Sequence, residues 1–263
     1  MVDYTEGKGK EYHIGLKKGD IGEYVILTGD PQRCVNIAKY LENAEKVGEN
    51  REYVTYTGTI EGEKVSVTST GIGGPSASIA LEELVNIGGK IFIRVGTCGG
   101  MQLDVEGGDI VITTGSVRME GTSREYAPIE FPAVSDITIT NALIEAAKES
   151  DVKYHVGIVQ SKDSFYGEHQ PEKHPVGSRL IEKWEAWLKM GCLASEMETA
   201  ALFITGAYRK VKVGCCLLVL ANQERERAGL PNVQQHDINP TIKLAVEAIR
   251  KMIREKKVKI KCN

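Results

Sequence analysis

Two carboxylates bracket one methionine in Ser195-Glu196-Met197-Glu198-Thr199, just before the apolar run Ala200-Ala201-Leu202-Phe203-Ile204. Residues two apart point to different sides of a helix, so both carboxylates can converge on one ligand only if the chain enters the helix from an extended segment. A second chemical signal is Arg94 within Ile91-Phe92-Ile93-Arg94-Val95. An arginine in so apolar a strand is costly unless it meets an anion or a carboxylate. Gly96-Thr97-Cys98-Gly99-Gly100 follows it; the glycines allow a nest of N–H groups and Thr97 adds a hydroxyl donor. Gly29-Asp30-Pro31-Gln32-Arg33 places another arginine about one turn into a helix, where it faces either solvent or a phosphate. Thr70-Gly71-Ile72-Gly73-Gly74-Pro75-Ser76 runs into a helix start and reads as either an anion-binding loop or a plain tight turn. None of these is a GxGxxG fingerprint, which disfavours a dinucleotide fold.

The elements that must position these residues read as alternating strands and helices. Short apolar runs predict strands at 24–28, 91–95, 109–113, 155–160 and 213–220, with a hairpin over 54–69 turning at Glu61-Gly62. Helical patterns fall at 32–41, 76–87, 141–149, 179–190, 198–208 and 241–254. This order predicts an α/β protein with a mostly parallel sheet, and ligands in such sheets sit beyond the carboxyl ends of the strands. The 263 residues, with no repeat or low-complexity linker, are expected to form one domain over 1–263.

Composition narrows the function classes. The chain is 41% hydrophobic and 26% charged, with a net charge of −3, so nothing global attracts nucleic acid or an anionic membrane. The Lys/Arg-rich stretch 254–261 reads as a solvated end rather than a nucleic-acid tail. The polar stretch 1–12 lacks the apolar core of a signal peptide, and the apolar run 213–221 is too short to span a bilayer, which predicts a cytoplasmic protein. Six cysteines without a CxxC pair predict reduced thiols, and five scattered histidines predict no transition metal. Cys98, with no histidine obviously paired to it, reads as a small buried residue rather than a nucleophile.

Taken in order, His13-Ile14-Gly15-Leu16, GDPQR at 29–33, Asn50-Arg51-Glu52, STGIGGPS at 69–76, RVGT at 94–97, EFPAV at 130–134, DSFY at 163–166 and SEMET at 195–199 span nearly the whole chain. Together they resemble the nucleoside phosphorylase-I superfamily, and within it most closely the uridine phosphorylases. The resemblance implies a single-domain α/β fold, with a mixed, barrel-like sheet flanked by helices. It also implies a homo-oligomer built from dimers, expected to be a hexamer. The implied activity is reversible phosphorolysis of uridine, and of deoxyuridine, to uracil and the (deoxy)ribose 1-phosphate, with inorganic phosphate as co-substrate and no cofactor. Purine nucleoside phosphorolysis and non-catalytic nucleoside binding are the competing readings.

On this resemblance phosphate is held by Gly29, Arg33, Arg94 and Thr97, with Arg51 reaching from a dimer partner. The planar guanidinium fork suits phosphate oxygens. Glu198 would accept bonds from the ribose 2′- and 3′-hydroxyls, Met197 would pack on the sugar, and Glu196 would help fix the segment and the ribose or act as a solvated cap. His13, given across the interface, would meet the 5′-hydroxyl or be merely structural. A monovalent cation such as potassium between subunits is implied at Glu52, Ile72 and Ser76. At the base the sequence departs from its relatives: where uridine phosphorylases carry glutamine and arginine, His169 and Pro171 stand here. The expected base contacts are then Phe165 for stacking and Lys162, His169 and Gln170 as donors, with Arg94, cationic Lys162 and potentially cationic His169 as the catalytic groups. Asn222, where purine-specific relatives place an aspartate, cannot readily protonate a base, which favours a pyrimidine.

Overall fold

A computed structural model describes residues 9–261. In chain order the elements are β1 (Tyr24–Thr28), α1 (Pro31–Ala38), β2 (Glu42–Asn50), β3 (Tyr53–Ile60), β4 (Glu63–Ser69), α2 (Gly74–Asn86), β5 (Ile91–Gly100) and β6 (Ile110–Arg118). Then come α3 (Thr122–Tyr126), β7 (Ala133–Val134), α4 (Ile137–Lys148), β8 (Tyr154–Ser161), α5 (Phe165–His169) and α6 (Gly177–Lys189). The chain ends through β9 (Ala194–Glu196), α7 (Thr199–Arg209), β10 (Lys212–Asn222), α8 (Gln223–Arg227) and α9 (Asn239–Lys261).

All the strands form one mixed sheet whose order is β10-β6-β8-β9-β5-β1-β4-β3-β2, with β7 alongside β6. Because β10 also pairs with β5, the first five strands close on themselves as a small barrel, and β1, β4, β3 and β2 extend it as an open wing. The strand alternation sorts the core into two clusters. Tyr24, Ile26, Ile93 and Val95 pack with α1, α4 and α9, while Val25, Leu27 and Phe92 pack with α2 and α7. Arg94, between Ile93 and Val95, therefore points to the side of α2 and α7.

The expected strands, the hairpin and the six longer helices are present. Three differences have physical causes. β2 was not expected, because ENAEKVGEN has no apolar alternation; it is an edge strand, and its exposed charges suit an edge that must not pair with another chain. β5 does not stop at Val95 but runs on to Gly100, so the stretch expected as a nest of N–H groups is strand. Its backbone pairs with β10 on one side and β9 on the other, at Gly99 and Gly100. β9 has three residues, too short for a periodic signal.

Arg118, which sequence reasoning passed over, ends β6 and is 7% exposed. Its guanidinium donates to the carbonyls of Ser123, Ala127, Pro128 and Phe131 and to Ser123 Oγ. It thereby fixes the course of the segment that leads into β7, taking acceptors that helix and sheet leave over. Arg118→Met should leave the carbonyls of Ala127 and Phe131 without a donor, those of Ser123 and Pro128 with only their backbone N–H partners, and cost about 3 kcal/mol of stability, with Arg118→Lys recovering only part because it has fewer, differently placed donors. Urea unfolding midpoints of the three proteins check this.

Candidate active site

The two carboxylates of SEMET do converge. Glu196 ends β9 and Glu198 caps α7, so the chain passes from extended to helical between them. Both reach Arg94: Glu196 Oε2 lies 3.3 Å from Nε, and Glu198 Oε2 accepts a short hydrogen bond from Nη2. All three are buried. Burial works against the charged guanidinium, but the paired carboxylates outweigh it and hold the Arg94 pKa above its ordinary value. Glu198 is pushed up, first by burial and then by the neighbouring Glu196, with Arg94 opposing. Gly96 makes room for this arrangement: a Cβ there would lie 2.8 Å from Arg94 Nη2.

Glu196 is a cap, as one reading had it, yet not a solvated one. Its carboxylate accepts from the N–H groups of Glu198 (2.9 Å) and Thr199 (3.0 Å) and from the Ser161 hydroxyl, with the positive end of α7 as a further stabilising field. The loop before α2 binds an anion that the chain itself supplies. Gly73 N donates to Glu198 Oε1 at 2.6 Å, and its φ of 96° is a conformation that favours glycine. Two Arg94 nitrogens make no hydrogen bond among the described residues: Nε, which only faces Glu196 at 3.3 Å, and the buried Nη1.

These groups line a cavity of about 840 Å³. At one end stand Gly29, Arg33, Arg94 and Thr97; Glu196, Met197 and Glu198 line the middle; Lys162, Phe165 and His169 lie at the other. Arg33 is half-buried on α1, whose N-terminus is capped by Asp30 Oδ1 accepting from Gln32 N at 2.9 Å. Burial lowers its pKa, countered by Asp30 and reinforced by the cation of Arg94. Cys98 is buried behind this wall and its thiol is raised well above the ordinary range, first by burial. Cys34, Cys98, Cys192, Cys215 and Cys216 are free thiols; Cys262 and residues 1–8 lie outside the described residues.

At the far end, Lys162 is 7% exposed rather than solvated, and it pairs with Glu168 at 2.9 Å. Phe165 is 52% exposed and lies 4.4 Å, centroid to centroid, from His169. Burial, and then the Lys162 cation, push the His169 pKa below the ordinary imidazole value, which disfavours its cationic form. Gln170 corrects an expectation. It sits at the end of α5 with its Oε1 accepting from Lys173 at 2.9 Å, and it does not line the cavity, whereas Gln223 does. Asn222 is a buried cap for α8 that donates to the carbonyls of Gln102 and Val105.

His13 and Arg51 do not line this cavity. They lie together elsewhere: the Arg51 guanidinium is 5.6 Å from the Tyr12 ring, and Asn50 Nδ2 donates to His13 O at 2.8 Å. Glu83, unmarked in the sequence, holds His13 Nδ1 at 2.6 Å and accepts from the N–H of His13 and Ile14. Nearby, Ser76 Oγ donates to Glu52 Oε1 at 2.8 Å, while the side chain of Ile72 is 77% exposed.

The chain belongs to the phosphorylase superfamily, whose family profile matches residues 23–255. It is 56% identical over 243 residues to a uridine phosphorylase of Treponema pallidum (strain Nichols), covering 92% of this chain and 94% of that one. A uridine phosphorylase of Thermococcus kodakarensis is 42% identical, over 84% of this chain and 81% of its own. A guanosine phosphorylase of Halorubrum lacusprofundi is 36% identical, over 91% and 98%.

Removing the Lys162 cation takes away one of the three pressures on His169 and leaves burial and the Arg227 cation. In Lys162→Met the His169 pKa should therefore rise towards the ordinary imidazole value. An NMR titration of the His169 ring in both proteins checks the direction.

Proposed function

We propose that this chain catalyses the reversible phosphorolysis of uridine and deoxyuridine to uracil and the corresponding sugar 1-phosphate, acting as one domain. The observation that carries the phosphate role is Arg94, a guanidinium that two carboxylates hold in place and that lines the cavity together with Gly29, Arg33 and Thr97. Phosphate would engage Arg94, Arg33, Thr97 and the backbone at Gly29, where arginine forks match its oxygens.

The sugar would lie over Met197 against Glu198. That carboxylate has about four lone-pair sites. Gly73 and Arg94 occupy two of them, which leaves acceptors for the ribose diol. Phosphate attacks C1′ from the face opposite the base as the C1′–N1 bond breaks. N1 takes the bonding pair, and the ribosyl group carries oxocarbenium character in between. Phosphate is already an anion, so the residues need only position it and stabilise charge. At the far end Phe165 would stack on the pyrimidine, with Lys162 as its cationic donor and His169 as a polar contact.

The separate cluster of His13 and Arg51 suits donation to the cavity of a second copy, with a hexamer built from such dimers and a cytoplasmic setting. No helix among the described residues is long and apolar enough to cross a membrane. The oxygens of Glu52 and Ser76 are hard donors suited to a monovalent cation such as potassium, to which Ile72 could offer only its carbonyl. Hydrogen bonds from its own N–H, Ser76 and Tyr53 overcome burial and keep Glu52 ionised at neutral pH.

Incubation with uridine, thymidine, inosine and guanosine, with and without phosphate, tests the activity: uracil should appear from uridine only when phosphate is present. Release from inosine or guanosine instead would replace the pyrimidine reading with a purine one. Arg94→Ala should lower kcat/KM by roughly a hundredfold, equivalent to about 3 kcal/mol. Near-normal turnover by the folded variant would remove Arg94 from the phosphate site.

Sharing of the site between subunits has its own test. Arg51→Ala and Glu198→Ala proteins, each inactive alone, should regain activity when dissociated and reassembled together, because one site of each mixed dimer is intact. Verified mixed dimers without activity would confine the site to one chain.

A further inference from the structure

Behind the base end of the cavity lies a closed polar network of Gln160, Lys162, Glu168 and Ser195, each less than a tenth exposed. Lys162 Nζ donates to Glu168 Oε2 at 2.9 Å and to Ser195 Oγ at 2.8 Å. Gln160 Nε2 donates to Glu168 Oε1 at 2.6 Å, which sets the direction of the amide and turns its oxygen to Ser195. The single Ser195 proton then goes to Gln160 Oε1, also at 2.6 Å. Two of the three Lys162 ammonium hydrogens are thus committed. Lys162 and Ser195 also line the cavity, with Nζ 5.9 Å from the Phe165 ring centroid, so the third hydrogen is available to a ligand stacked on that ring.

We propose that Glu168 is a positioning residue for base departure: it keeps the buried Lys162 ammonium charged and in one orientation, so that its remaining N–H donates to a carbonyl of the leaving pyrimidine. This rests on the phosphorolytic reading above. A lysine taken out of water without a counter-charge is strongly disfavoured in its charged form, and Glu168 supplies that charge from the side away from the substrate. Gln160 and Ser195 satisfy the rest of the carboxylate and ammonium, so little reorganisation is needed when charge develops on the base. As the C1′–N1 bond breaks, the electron pair spreads from N1 onto the ring carbonyls, and the Lys162 hydrogen bond strengthens. Of the residues at the positions usual for base recognition, His169 is disfavoured as a cation and Pro171 carries no charge.

Glu168→Gln tests the wiring. The new amide can accept from Gln160 only by turning its NH2 towards the Lys162 ammonium, so one bond is lost. Steady-state kinetics with uridine and 5-fluorouridine, whose base leaves as the weaker base, are measured for wild type, Glu168→Gln, Lys162→Met and the double variant, with thermal melts as the folding control. On uridine, kcat should fall about a hundredfold in Lys162→Met and roughly tenfold in Glu168→Gln, with the KM for phosphate unchanged. 5-Fluorouridine should lose less, and the double variant should match Lys162→Met, because Glu168 acts through Lys162. Glu168→Asp, which keeps the charge, should recover part of the loss.

Equal losses on the two nucleosides, additive losses in the double variant, or a folded Glu168→Gln with wild-type kcat would each overturn the positioning role. If Glu168→Gln does not fold, Ser195→Ala removes the other Lys162 acceptor and must show the same unequal loss, or the proposal falls. A wild type that releases no uracil in phosphate overturns the phosphorolytic reading and this one with it. A wild type that turns over while its variants lose equally on both nucleosides overturns this one alone.

Discussion

The structure depends on a single buried arrangement, the guanidinium of Arg94 held between the carboxylates of Glu196 and Glu198. Desolvating an arginine in the middle of a sheet is affordable only because two carboxylates meet it, and two carboxylates this close are tolerable only because each has other donors. Glu196 draws on the N-terminus of α7 and on Ser161; Glu198 draws on Gly73. The strand β9, the entry into α7 and the loop before α2 are therefore fixed by the same charge. The two carboxylates hold the guanidinium at Nε and Nη2, and Nη1 has no hydrogen-bond partner among the described residues.

A second principle is separation of roles along one cavity. Arg94 of β5 and Arg33 of α1, the carboxylates of Glu196 and Glu198, and Phe165 with its neighbour Lys162 all line it. Lys162 and His169 illustrate how neighbouring groups divide labour: the cation of one helps keep the other neutral, so two adjacent nitrogen groups offer different chemistry at the same pH.

Much of this was legible in the sequence. Arg94 within an apolar strand announced a buried partner, and the spacing of Glu196 and Glu198 required a strand-to-helix transition that β9 and α7 supply. Strand and helix periodicity placed β1, the β3–β4 hairpin and the long helices, since each buries one face. What was not legible lacks a local signal. β2 has no apolar alternation because an edge needs none, and Glu83, Glu168 and Arg118 look like ordinary surface charges until the fold brings donors to the two carboxylates and acceptors to the guanidinium. Gly96 to Gly100 was read as a loop because glycine usually breaks strands. Here the missing side chain of Gly96 lets Arg94 fold over the strand, and that of Gly100 leaves room for the Asn222 amide and the Val105 carbonyl.

The bond from Gly73 to Glu198 joins residues 125 apart in the chain, and that from Arg94 to Glu198 joins residues 104 apart. Contacts of such separation require large loops to close, and their entropy is recovered only when distant parts of the sheet are already together. The centre of Arg94, Glu196 and Glu198 is thus a product of topology that no fragment of the chain contains. A partly folded chain with its helices and local hairpin in place would still lack it, so a small anion captured there stabilises the finished fold selectively and leaves every earlier species untouched.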